Sequence, residues 1–344
     1  MRVDAQSVEA QRAKELVEEL QSYFVEKLDK ISLIYGEDNS SEALEWLRDG
    51  GAHGGGIRYE TKDKRVFNRG SVNISQVHYD DDSTKKLSSA TAISTIIHPS
   101  NPHAPSMHAH ISWTQMRDGA GYWRIMGDLN PSLKNDTFRE EFTQMLYRMA
   151  GEYADEGIEQ GDRYFTIPLL NRTRGVSHFY LEKFNRGDFE ADYSFAKHMG
   201  IAIIDTYIKI FNDALKEHTI VTLEEKEKQI DYHTLYLFQV LTLDRGTTTG
   251  LLIHNQNDVG IMGSIPSHVN PELLVSWKEL MPKPQELLVQ AIIEALPKSN
   301  PAEVDIEVKK KLANAVREHY ASYPQALKMQ ASGGVIPDTV GNHK

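Results

Sequence analysis

An α+β fold built on one large antiparallel sheet is what this sequence predicts, on three observations. From Gly56 to Pro131 the chain breaks into short β-rich runs separated by turn residues, and consecutive strands with short connections make an antiparallel meander. Segments of helical period stand before and after that block. No internal repeat, low-complexity tract or long linker divides the 344 residues, so a hydrophobic content of 40% is read as filling one domain.

Taken in order, Leu16, Leu20, Phe24, Leu28 and Ile31 recur at helical spacing and predict a long amphipathic helix over residues 7–34. Its polar face is acidic, which suits a cover over an apolar surface and not a membrane-bound helix. A second helix is expected from Glu42 to Arg48. The glycine cluster from Gly50 to Gly56 lacks the lysine and the preceding strand of a phosphate cradle, and reads as a loop or the start of a strand. Strands are expected at IRYET, RVFN, SVNISQVHYD, ATAISTIIH, SMHAHISW and YWRIMGDLNP. A helix over 136–154 then puts Phe138, Phe142, Leu146 and Met149 on one face. RYFTIPLL and VSHFYLEKF read as strands, 192–215 as a helix, and LYLFQVLTL and GLLIH as strands again. Helices over 272–280, 284–296 and 305–323 follow. Residues 1–300 are taken as the single domain and 301–344 as a C-terminal helical extension with a poorly ordered Gly- and Pro-containing tail.

Charge and composition exclude several classes. A net charge of −11, with no Lys/Arg run longer than Lys309-Lys310-Lys311, excludes a general nucleic-acid binder, which needs a basic face. Any anionic ligand must be held by a local basic pocket. The absence of cysteine removes disulfides, thiolate metal sites and thiol nucleophiles together. The first 20 residues are charged throughout and no stretch approaches the roughly 18 apolar residues of a membrane span, so a soluble cytoplasmic protein is expected.

Three groups of residues are candidates for chemistry. Side chains at i and i+2 of a strand share a face, so His108, His110 and Ser112 look one way while Met107, Ala109 and Ile111 look the other. With Asp128 on a neighbouring strand, the two histidines could form a facial metal triad or line a polar cleft without metal. Arg172 and Arg174, two apart at the start of a strand, suit an organic carboxylate or an ion pair with an acidic residue. Asp244 and Arg245 begin a Gly-containing turn that either is stabilised by the aspartate or touches substrate. His53 and His78 flank the early strands as satisfied polar groups or rim residues.

The run IIHPSNPHAPSMH, with GGGIRYE, VFNRGSVNISQVH, GDLNP, RTRGV and DRGTTTGL in the same order, resembles the oxygen-dependent coproporphyrinogen oxidases from about Glu42 to about Pro266. The resemblance implies a large, rather flat antiparallel sheet sandwiched between helices, a homodimer and a cleft for a tetrapyrrole. It implies oxidative decarboxylation of two propionates of coproporphyrinogen III to vinyl groups, giving protoporphyrinogen IX, with molecular oxygen as electron acceptor and neither metal nor organic cofactor. The histidine spacing would then belong to a cleft edge. Asp128 matches the family's aspartate that orients the macrocycle and assists pyrrole deprotonation, His108 its cleft histidine, Arg174 a propionate-binding arginine and Ser75 a serine of the N-x-S strand.

The chain also departs from that pattern. His110 and Ser112 stand where the family has an asparagine and a propionate-binding arginine, and bulky residues replace the glycines before the aspartate. Arg124, which the family pattern lacks, is the candidate replacement for the lost arginine. The departures leave two rivals: an enzyme of this fold with another substrate, recruiting a metal through His108, His110 and Asp128, and a non-catalytic tetrapyrrole-binding homologue. His110 is expected to act as a polar cleft residue with no metal bound.

Overall fold

A computed structural model of the protein describes residues 1–334 and Val340. Of the tail expected to be poorly ordered, residues 324–334 and Val340 are described, with 3₁₀ helix over Pro324–Met329, and the remainder lies outside the described residues. Helix α1 (Val8–Tyr35) is capped by the Ser7 side chain, which accepts from the Ala10 amide, and it buries Leu16, Leu20, Phe24, Leu28 and Ile31. Strands β1 (Glu42–Leu47), β2 (Gly54–Glu60), β3 (Phe67–His78), β4 (Leu87–Pro99), β5 (Ser106–Met116) and β6 (Gly121–Asn130) follow as a meander. Gly54 starts β2 at φ 92°, and a Cβ there would lie 2.0 Å from the Gln76 carbonyl oxygen, so glycine is required by both conformation and space. Helices α2 (Asp136–Ala150) and α3 (Ala154–Phe165) lead to the short pair β7 (Thr166–Ile167) and β8 (Arg172–Thr173), then to β9 (Ser177–Phe184). Helices α4 (Phe189–Glu217), α5 (Leu223–Thr242), α6 (Arg245–Ile253) and α7 (Asp258–Ile261) come next. The short pair β10 (His268–Val269) and β11 (Ala302–Glu303) brackets α8 (Pro271–Lys278) and α9 (Gln285–Ala295), and α10 (Ile306–Ser322) follows.

The large sheet is antiparallel, in the order β1-β2-β3-β4-β5-β6-β9, with helices on both faces. One face packs Val72, Ile74, Ile93, Ile111, Trp123, Ile125 and Leu129 against α1, α2 and α4. Above the other, a second apolar cluster joins α5, α6 and α8 to α10, with Leu312 and Val316 of α10 fully buried in it. The expected α+β class and sandwiched sheet are therefore present.

Four local expectations are corrected. Residues 42–48 form edge strand β1, not a helix, because pairing with β2 overrides the helix propensity of Glu, Ala and Leu. LYLFQVLTL lies in α5, not a strand: Leu235, Leu237, Phe238, Val240 and Leu241 are all buried, so the run shows no alternation to separate helix from strand. Its start carried an unread signal, the capping box of Thr222 and Glu225, each side chain accepting from the other's amide. GLLIH is largely in α6, which the Asp244 side chain caps by accepting from the Thr247 amide. RYFTIPLL is the end of α3 followed by β7 and a turn of 3₁₀ helix.

Candidate active site

Strand register assembles the site. Ile96, His108, Asp128 and His178 stand in one row across β4, β5, β6 and β9, while Ser94, His110, Met126 and Tyr180 form the next and Ala92, Ser112 and Arg124 the third. Rows two residues apart share a face, and this face looks toward α5 and α6. Between them is a cavity of about 300 Å³, floored by Ser71, Asn73, Ser75, His108, His110 and Arg124 and walled by Tyr164, Tyr180, Tyr236 and the start of α6.

Asp128 is fully buried and has both oxygens engaged. Oδ1 accepts from His108 Nδ1 at 2.8 Å, and Oδ2 accepts from Arg174 Nη2 at 2.8 Å and Asn130 Nδ2 at 2.6 Å. Burial works against its ionisation, but the charges of Arg174 and His108 and the hydrogen bonds of His108 and Asn130 outweigh it and hold the carboxyl well below the usual range. An ionised Asp128 must accept, so His108 Nδ1 carries the proton and, in the neutral ring, Nε2 is left as the acceptor at the cavity. Arg174 is fixed in turn: it donates to Gln239 at 2.7 Å and lies between the rings of Phe165 and Tyr236, at 4.5 and 5.0 Å from their centroids. His110 donates to or accepts from the Ser112 hydroxyl at 3.0 Å, and burial, then the charges of His108 and Arg124, push its pKa down to about 3, so it is neutral.

The structure sorts the expected site residues. Ser75, His108, His110, Arg124, Arg174, Asp244 and Arg245 line the cavity. The resemblance implies an aspartate open to the macrocycle, whereas Asp128 is shielded and reaches the cavity only through His108 and Arg174. Ser112 serves His110. Arg172 does not pair with Arg174, since it is exposed on β8 outside the cavity while Arg174 is buried on Asp128. Asp244, besides capping α6, accepts from the Tyr164 hydroxyl at 2.7 Å, and Arg245 forms a buried ion pair with Glu182. Of the cleft-edge histidines, His98 is instead buried, bonded to Ser106 at 2.8 Å and the Ser264 carbonyl at 3.2 Å, and His103 pairs with Glu225 and stacks on His218. Among the described residues no three His, Asp or Glu side chains are grouped to hold a metal ion, because Asp128 bonds to His108 directly.

Arg124 stands out among the cavity's three arginines. Arg174 and Arg245 each meet a buried carboxylate, whereas Arg124 faces none among the described residues: it donates only to the Tyr122 hydroxyl, at 3.3 Å, and its buried Nε has no partner. Residues missed by the sequence reading are Asn130, two along from Asp128 on the same strand face, and Gln239 and Tyr236, three apart on one face of α5. The first was findable by strand alternation, and the others were hidden by reading α5 as a strand.

The model of the family described as coproporphyrinogen III oxidase matches residues 12–292. The chain is 31% identical over 242 residues to the oxygen-dependent coproporphyrinogen-III oxidase of Rickettsia akari (strain Hartford), a match covering 65% of this chain and 82% of that protein. It is 30% identical over 238 residues to the protein of the same name from Rickettsia bellii (strain RML369-C), with the same coverage. To the mitochondrial oxygen-dependent coproporphyrinogen-III oxidase of Rattus norvegicus it is 27% identical over 278 residues, covering 73% of this chain and 60% of that one.

Proposed function

The chain belongs to the coproporphyrinogen III oxidase family, an oxidoreductase family of haem biosynthesis, and on that premise we propose that it decarboxylates propionates of coproporphyrinogen III or a closely related carboxylated tetrapyrrole. Each propionate loses carbon dioxide and two hydrogen atoms to become a vinyl group, and oxygen accepts the two electrons and two protons as hydrogen peroxide. A porphyrinogen is electron-rich, so the reading needs neither metal nor organic cofactor: the protein's task is to place the ring, hold a proton acceptor against it and anchor a carboxylate. The proposal extends to a homodimer, as the family resemblance implies.

The observation that carries this reading is Arg124, a cavity arginine with no carboxylate partner among the described residues, two register rows from a histidine whose tautomer is set by Asp128. Arg124 receives a propionate as a charge-assisted pair. His108 Nε2 takes the proton that leaves the pyrrole or the propionate side chain, with Asp128 and Arg174 as positioning residues. The tyrosines give the macrocycle an apolar wall. A cavity of about 300 Å³ is at the lower end of small-molecule sites, so a tetrapyrrole fills it and reaches toward its mouth.

The test is incubation of purified protein with coproporphyrinogen III in air, with chromatography of the oxidised products and a peroxide assay. The expected result is vinyl products with one peroxide per carboxylate lost, abolished in His108→Ala. Unchanged substrate with the native chain, under conditions where the Rickettsia akari enzyme converts it, would refute the assignment.

A further inference from the structure

The cavity that holds His108 and Arg124 has a polar group at its other end. Trp46 of β1, Gly56 of β2, Ser75 of β3, Ala92 of β4, Ser112 of β5 and Arg124 of β6 stand in one register row across the sheet. Four small residues thus make a floor between an indole and a guanidinium, and Trp46, Ser75 and Arg124 line the same cavity. Five strand spacings separate the backbones of Trp46 and Arg124, about 24 Å. The indole shortens that gap by lying over Gly56, where a Cβ would come within 2.7 Å of Trp46 Nε1. Trp46, Asn257 and Gly260 also line the surface cleft beside α7 and α10, so this end is the cavity's mouth.

Two atoms at this end lack a partner. Trp46 Nε1 is buried without a hydrogen bond among the described residues, although the side chain as a whole is only half-buried. An indole N–H can only donate, and a buried donor left unpaired is costly, so the missing partner is an acceptor brought by a ligand. The Asn73 amide oxygen, lining the cavity two residues along β3 from Ser75, is likewise buried and unpartnered among the described residues and takes a donor. A pyrrole that bears a carboxylate supplies both. His254 lines the same end, its ring 6.1 Å from that of Trp46. Arg48 can only donate to His254 Nδ1, so the neutral ring carries its proton on Nε2. Arg48 is itself paired with Asp49 at 3.6 Å, so the mouth offers neutral donors where the other end offers the Arg124 guanidinium. A carboxylate at an open mouth stays partly hydrated, and neutral donors suffice to hold it there.

We propose that Trp46 is a second carboxylate anchor of this site, so that the ligand is held across the sheet by carboxylates on opposite sides of its ring, one on Arg124 and one on Trp46 at the mouth. The assignment rests on the tetrapyrrole reading above and deepens it, because it selects ligands by where their carboxylates stand. Coproporphyrin III, the oxidised form of the proposed substrate, carries propionates all round the ring and can engage both ends at once. Protoporphyrin IX has its two propionates on one edge and cannot. Loss of the carboxylate at either end removes one of two anchors, so conversion weakens the hold on the product.

Binding of these two stable porphyrins is followed by the anisotropy of their own fluorescence, in the native chain, in Trp46→Phe, which keeps an aromatic ring and removes the N–H, and in Arg124→Leu. The native chain is expected to hold coproporphyrin III about 10-fold more tightly than protoporphyrin IX, a comparison that needs no variant. Trp46→Phe should raise Kd for coproporphyrin III about 10-fold, the worth of one hydrogen bond to a charged group, and leave Kd for protoporphyrin IX within about twofold. Arg124→Leu should weaken both, so the two ligands report the two ends separately. Equal affinity of the native chain for the two porphyrins, an unchanged Kd for coproporphyrin III in Trp46→Phe, or an equal loss of both ligands in that variant would each overturn the anchor and leave the tetrapyrrole reading intact. No binding of either porphyrin by the native chain would sink that reading and the anchor with it.

Discussion

The same strands build two surfaces of opposite character. On β5 and β6, Ile111, Trp113, Trp123, Ile125 and Leu129 face α1 and α4, and the alternate residues His108, His110, Ser112, Arg124 and Asp128 face α5 and α6. Both faces are covered by helices, so exposure does not distinguish them. The difference is in how each is satisfied. The first face is sealed by apolar packing with rings in contact, as where Trp123 meets Trp113 at 5.4 Å and Phe189 at 5.9 Å. The second is a polar network around a ligand-sized space. A sheet buried on both sides can thus confine its chemistry to one face, because a period of two residues keeps the two sets of side chains apart.

Trp123→Ala strikes the packed face. It should cost about 3–5 kcal/mol in urea unfolding, with activity per folded molecule retained, since the ring touches nothing in the cavity. Asp128→Asn strikes the other face and should do both kinds of damage. Stability should fall by about 3 kcal/mol because Arg174 loses its buried counter-charge, and kcat should fall because His108 is no longer fixed in one tautomer. If Asp128→Asn unfolded the protein no more easily than the native chain, the network would not be structural. Arg124→Leu should separate the two roles most cleanly. Stability should stay within about 0.5 kcal/mol, since no ion pair is lost, while kcat/KM for a propionate-bearing substrate falls about 10- to 150-fold, equivalent to about 1.5–3 kcal/mol. A normal KM in that variant would remove Arg124 from the site.

The smallest effect is an acid slope. His98, His110 and His233 are buried with pKa values lowered first by burial, to about 3 for His110 and His233. Their folded values lie below the unfolded value of about 6.5, so the unfolded chain takes up protons first, and stability is lost as pH falls below about 6.5. Each contributes about 1.4 kcal/mol per pH unit there. His110→Asn should lower the slope of urea midpoint against pH by one proton's share without changing stability at pH 8.

Sequence alone determined strands β2 to β6 of the meander and their two faces, because alternation is local: H-x-H at 108 and 110 had to share a face with Ser112 whatever covered it. It also determined α1, α2, α4 and α8 to α10 through their apolar period, and it carried the family through IIHPSNPHAPSMH. Tertiary structure decided the rest. Whether LYLFQVLTL coils or extends depended on what surrounds it, since a run buried on every side has no polar face to mark its period. Residues 42–47 became a strand because β2 offered an edge to pair with. The shielding of Asp128 and the isolation of Arg124 from any carboxylate among the described residues were equally invisible in one dimension. Each depends on which charges long-range packing brings together, and Arg174 is 46 residues along the chain from Asp128.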